Sequence, residues 1–134
     1  MRAVFADTYA LIAWLSPNDA AHAKVCAHLD TFTGQPVTTE WVPMELADAL
    51  SAPTARATAV AFLRAVRDDP LFEVVGYDLG VYQSGFDLFA SRHDKAWSLT
   101  DCVSFAVMTG HGLTDALTAD HHFEQAGFRA VFRN

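Results

Sequence analysis

The chain alternates between short, nearly continuous apolar runs and longer stretches in which apolar residues recur every three or four positions. RAVFA, residues 2 to 6, is of the first kind and ends at a lone acid, Asp7, the pattern of a strand buried on both faces. TYALIAWLS then has helical spacing and stops at Pro17. DAAHAKVCAHLDTF predicts a helix from Asp19, broken by Gly34 and Pro36 before a second strand, PVTT. WVPMELADALS predicts a helix from Pro43, a residue tolerated in the first helical position, so that Glu45 falls in the first turn and Pro53 closes the segment. TARATAVAFLRAVRDD reads as an amphipathic helix, FEVVGY as a third strand, and DLGVYQSGFDLFASRHD as a further helix. SLTDCVSFAVM, residues 98 to 108, is a helix ended by Gly110 and Gly112; ALTA, 116 to 119, is a fourth strand reaching Asp120; HHFEQAG is a short helix and FRAVFR the last strand.

Strands thus alternate with helices over the whole length, without internal repeat, low-complexity segment or linker. Such alternation predicts a single α/β domain, residues 1–134, with three layers: a parallel sheet of about five short strands with helices on both faces. A chain of 134 residues can bury a sufficient core without staples. No apolar run reaches the roughly 18 residues a membrane span needs, so no membrane partner is expected. The start imitates a signal peptide, but Asp7 interrupts its apolar core and no small-x-small cleavage site follows, so it reads as mature sequence. Cys26 and Cys102, far apart and without other secretory signs, read as two reduced, buried thiols, and the expected compartment is the cytoplasm.

The net charge of −7 argues against a sequence-independent nucleic-acid binder, unless the acidity is concentrated in a site. In an open parallel sheet, ligands collect beyond the carboxyl ends of the strands. Asp7 and Asp120 sit at such ends, and Glu45 and Asp101 open helices that should start from the same side. Helix-start position alone does not select these four, because Asp19 and Asp78 also open helices. The context does: Asp7 and Asp120 follow strands almost free of polar residues, and Asp101 begins a helix apolar on nearly every side. Carboxylates crowded at the rim of a buried core raise each other's pKa unless a cation neutralises them. Oxygen-only donors suit Mg²⁺ or Mn²⁺. Asp101 retains a second reading, since Ser98 followed three residues later by Asp101 is also a capping box. Thr8, Thr100 and Thr118 could hydrogen-bond the acids from behind or cap helices.

FADTYALIAWL, PMELADAL, SLTDCVSFAVM and LTADHHFEQAGF stand in the order and style of a PIN domain, and the chain most resembles the VapC-type toxin group, over essentially its whole length. The specific motifs are the LTD opening a helix that contains Ser104 and Met108, and the TxDxHF block followed by AGF. Carried over by position, the resemblance makes Asp7 and Asp101 metal ligands, Glu45 a ligand or water-positioning acid, and Asp120 an acid behind the metal or a ligand of a second ion. It implies a Mg²⁺- or Mn²⁺-dependent endoribonuclease, the toxin of a toxin–antitoxin pair, often a homodimer, whose small VapB-like antitoxin covers the site with a basic segment. RNA-tracking candidates are Arg56, Arg64, Arg67, Arg92 and Lys95, each of which reads equally as a solvated helix face. His121 and His122 are expected to be structural or RNA-facing, and Asp48 and Asp115 to be solvated. A catalytically silent PIN scaffold is a weaker alternative. A phosphoacceptor receiver domain fits poorly, since Asp7 is followed by Thr8 and no lysine occurs beyond Lys95.

Overall fold

The computed structural model describes residues 2–133. Strands β1 (Ala3–Ala6), β2 (Gln35–Thr39), β3 (Glu73–Val75), β4 (Asp115–Leu117) and β5 (Arg129–Ala130) form one sheet in the order β3-β2-β1-β4-β5, every neighbouring pair parallel. Helices α1 (Thr8–Leu15), α2 (His22–Asp30), α3 (Trp41–Ala49), α4 (Pro53–Asp68), α5 (Leu79–Ser91), α6 (Leu99–Gly110) and α7 (His121–Gln125) complete a three-layer α/β/α fold around that sheet. The first strand lies at the centre because it is the most apolar: Val4, Phe5 and Ala6 are all buried. β1 pairs with β2 on one edge and with β4 on the other, Phe5 standing opposite both Val37 and Ala116. The direction of winding reverses at this strand, and such a switch point opens a crevice at the carboxyl edge of the sheet.

α6 is buried on most sides, as its sequence predicts: Cys102, Val103, Ser104, Phe105, Val107 and Met108 are all inaccessible. Phe105 meets Phe123 of α7 edge-on at 4.9 Å between centroids and Trp97 at 5.1 Å, so the core runs beneath the segments that carry Asp101 and Asp120. α5 lies against α6 at Gly85, where a Cβ would come within 2.7 Å of the Val103 Cα and 2.5 Å of its Cγ2. Only glycine permits that approach without displacing backbone.

Several boundaries differ from the sequence expectation, each for a local reason. The helix expected from Asp19 begins at His22, because Asp19 instead closes a turn, its Oδ1 accepting the Ala21 N–H at 2.8 Å. α3 begins at Trp41 instead of Pro43, which puts Pro43 third and Glu45 in the second turn. Proline is tolerated there because the first N–H groups of a helix have no acceptor within it. Pro53 opens α4 instead of only closing the preceding segment. β4 stops at Leu117, and the FRAVFR strand is confined to Arg129–Ala130. Both cysteines are free, but Cys26 is half-buried where Cys102 is fully buried. No helix among the described residues is long and apolar enough to cross a membrane.

Candidate active site

Asp7, Thr8, Glu45, Asp101 and Asp120 line one cleft of about 490 Å³ at the carboxyl edge of the sheet, together with Tyr9, Ile12, Ala96, Ser98 and His122. The topology accounts for the convergence. Asp7 leaves the central strand, Asp120 follows its neighbour β4, and Glu45 and Asp101 ride on helices that start near the same edge.

Asp7 is the deepest of the four, 6% exposed. It stands at the N-cap of α1, yet its side chain makes no capping bond. Its Oδ2 accepts instead from the Thr118 hydroxyl at 2.9 Å. The same Thr118 oxygen accepts the Asp120 N–H at 3.1 Å, so one buried hydroxyl couples the two strand ends. Burial pushes the Asp7 carboxyl up to about 7; the Thr118 hydrogen bond opposes the rise, the charge of Asp101 adds to it, the Thr8 N–H opposes it and Glu45 adds to it. Glu45 is fixed by the hydroxyl of Thr8, which donates to its Oε1 at 2.6 Å.

Asp101 is both a cap and a site residue. Ser98 Oγ accepts the Asp101 N–H at 3.0 Å while Asp101 Oδ2 accepts the Ser98 N–H at 3.3 Å, closing the capping box. That arrangement occupies one carboxylate oxygen; among the described hydrogen bonds Oδ1 takes none. Burial first, then the nearby charge of Asp120, raises the Asp101 pKa, against the lowering effects of the Ser98 N–H and of His122. Asp120 caps α7, its Oδ1 accepting the His122 N–H at 2.9 Å.

Thr8 and Thr118 therefore stand behind the acids as the sequence suggested, whereas Thr100 neither lines the cleft nor bonds the acids among the described residues. None of the five basic candidates lines it. Arg56 donates to the Ser51 carbonyl at 2.7 Å, Arg64 is exposed, and Arg67 lies 3.8 Å from Glu40. Arg92 pairs with Asp94 and stacks over Trp97, and Lys95 lies on the same loop, directly before the cleft residues Ala96 and Ser98.

One expectation changes. Asp115, expected to be solvated, is 5% exposed and pairs with Arg2 and Arg129, because β4 puts it in the sheet interior, where an ion without a counter-charge would be costly. Asp48 is exposed, as expected. His122, expected to be structural or RNA-facing, lies in the cleft with Nδ1 3.3 Å from Asp101 Oδ2 and 3.4 Å from Asp120 Oδ1. Its place two residues after an Asp that caps a short helix was the available signal, since an N-cap carboxylate folds back over that residue's N–H.

The donor set fits a hard divalent cation. The four acids present carboxylate oxygens, no lysine or arginine lines the cleft, and the buried Asp7 has no countercation to favour its ionised form.

Compared with curated proteins, the sequence matches none. Among solved structures it is similar to the Mycobacterium tuberculosis VapC20 toxin, described as cleaving the sarcin–ricin loop, with 24% identity over 96% of this chain and 98% of that one at a TM-score of 0.88. It is also similar to FitAcB from Neisseria gonorrhoeae, with 22% identity over 96% of each chain at 0.66. A toxin–antitoxin complex from Klebsiella pneumoniae aligns at 16% identity over 88% of this chain and 87% of that one, with a TM-score of 0.61. At these identities the likenesses speak for the fold. The profile of the PIN domain matches residues 4–129. With that match running from β1 through α6 and α7, and with the same parallel sheet carrying the acids at its switch point, the chain belongs to the PIN domain family.

Proposed function

We propose that this protein is a Mg²⁺- or Mn²⁺-dependent endoribonuclease and the toxin of a toxin–antitoxin pair. The observation that carries the reading is the gathering of Asp7, Glu45, Asp101 and Asp120 in one cleft whose lining holds no lysine or arginine. Asp7 and Asp101 would hold the ion. When bound, it would polarise a phosphodiester and make a water more acidic. Thr118 keeps Asp7 aimed into the cleft, and Thr8 does the same for Glu45. Glu45 or Asp120 orients the attacking water and accepts its proton, so no protein nucleophile is required. Water displaces the 3′-oxygen of the preceding nucleotide, leaving 5′-phosphate and 3′-hydroxyl ends.

Arg92 and Lys95, on the loop that leads into the cleft, are best placed to meet the RNA backbone; Arg56, Arg64 and Arg67 all sit on α4 and would act only on a longer contact. A VapB-like antitoxin fits as the partner, since an acidic cleft attracts a basic segment. Fold likeness to a toxin–antitoxin complex supports such a partner; a toxin homodimer and a cytoplasmic location are what the family resemblance implies.

The test is Mg²⁺-dependent cleavage of a panel of cellular RNAs by the parent and by Asp101→Asn, with the ends mapped. Loss of cleavage in the variant and 5′-phosphate products support the reading. A variant that cleaves as fast as the parent, or products ending in 2′,3′-cyclic phosphate, would overturn it.

A further inference from the structure

We infer that the outer end of this cleft is a second, nitrogen-rich ion position that selects a borderline cation, Zn²⁺ foremost, through Asp120, His121 and His122. It rests on the metal reading above only in sharing Asp120 with it.

The argument is geometric. Asp120, His121 and His122 present ligand atoms that all lie within 4.8 Å of one another. Two donors that share a Zn²⁺ at about 2.1 Å in a tetrahedral site stand roughly 3.4 Å apart. The separations here are 3.6 Å from His121 Nδ1 to Asp120 Oδ1 and 3.4 Å from His122 Nδ1 to the same oxygen. These are long for hydrogen bonds and close to the edges of a tetrahedron. The two rings, from adjacent residues, are gathered 4.3 Å apart at the same mouth instead of being spread around the helix.

Donor chemistry separates this position from the Asp7 end of the cleft. Imidazole suits Zn²⁺ and is a poor partner for Mg²⁺, which prefers oxygen and retains its water. One carboxylate and two imidazoles make three protein donors and leave the fourth tetrahedral position to a water. A Zn²⁺ there would draw Asp120 away from the other site, so the second position would act as an inhibitory port.

Calorimetric titration of Zn²⁺ alone into tag-free, metal-stripped protein tests this, with Mn²⁺ titrated in parallel. His121 is more than half exposed, so His121→Gln leaves the fold intact. Zn²⁺ affinity should fall at least about tenfold in His121→Gln and in His122→Gln, the loss that even an outer partner of a metal site produces. Mn²⁺ binding should be unchanged in His121→Gln. Asp7→Asn should do the reverse, weakening Mn²⁺ and sparing Zn²⁺. Visible absorption of bound Co²⁺ should likewise drop in His121→Gln. Zn²⁺ affinity unchanged in His121→Gln, or lost in Asp7→Asn, overturns the inference. Zn²⁺ binding that depends on the histidines in a protein with no Mn²⁺ site would sink the Mg²⁺ reading and leave this one standing.

Discussion

Replacing Asp7 with asparagine should stabilise the metal-free protein, and by an amount that depends on pH. In the folded state the Asp7 carboxyl is raised from 3.8 to about 7, chiefly by burial. That is the reverse of an ordinary salt-bridged aspartate. The folded chain binds the proton more tightly than the unfolded one, so the group opposes folding as pH rises from about 4 to 7, and its full penalty is present above 7. A rise of about three pH units corresponds to about 4 kcal/mol, an upper figure of the right order for so buried a group. Asparagine carries no charge, fits the same space and still accepts the Thr118 hydroxyl through its amide oxygen. Nor is a cap lost, because the Asp7 side chain makes no capping bond. Thermal unfolding in chelator should therefore give Asp7→Asn a melting point higher than the parent by on the order of 10 °C at pH 8, with the gap closing towards pH 4. Saturating Mn²⁺ should raise the parent far more than the variant. A variant that melts lower than the parent at pH 8, or a gap that does not change with pH, would refute the placement of Asp7 as a buried carboxylate without a countercation.

Asp101→Asn should cut RNA cleavage by about a hundredfold or more while costing at most about 1 kcal/mol in thermal unfolding, because asparagine preserves much of the capping interaction. Gly85→Ala should destabilise the protein by about 3 kcal/mol in urea titration, since the added Cβ meets Val103 backbone that cannot swing aside. Arg2→Ala or Arg129→Ala alone should cost about 1 kcal/mol, each exposed guanidinium being one of two on Asp115. The double variant should lose about 3 kcal/mol or more, because it strands a buried carboxylate, and a double-mutant cycle in denaturant would detect the excess.

The order of elements was legible because each depends on neighbours in sequence: AVFA is too apolar to be anything but interior, and Gly34, Gly110 and Gly112 punctuate where the chain turns. The acids were legible as well, each following a strand end or lying early in a helix. What the sequence hid depends on partners far along the chain. Asp115 reads as one more acid in a polar turn until Arg2, 113 residues away, is brought beside it. Thr118 could be read as a cap; only the pairing of β4 with β1 sets it against Asp7. Helix starts slipped where a signal had two uses. Asp19 closes a turn before the helix, and Pro43 stands third in α3, a position that proline fills as readily as the first.

The central position of β1 also bears on how the protein is made. Its second neighbour, β4, leaves the ribosome more than a hundred residues later, since Thr118 and Asp7 are 111 positions apart. Until then one edge of the most apolar strand is unpaired, and Asp7 has neither its hydroxyl partner nor its companion acids on α6 and α7. A growing chain thus carries no complete acidic cleft until the segment that bears β4 and α7 has emerged. If the cleft acts on RNA as proposed, the strand order itself delays that competence until β4 docks against β1.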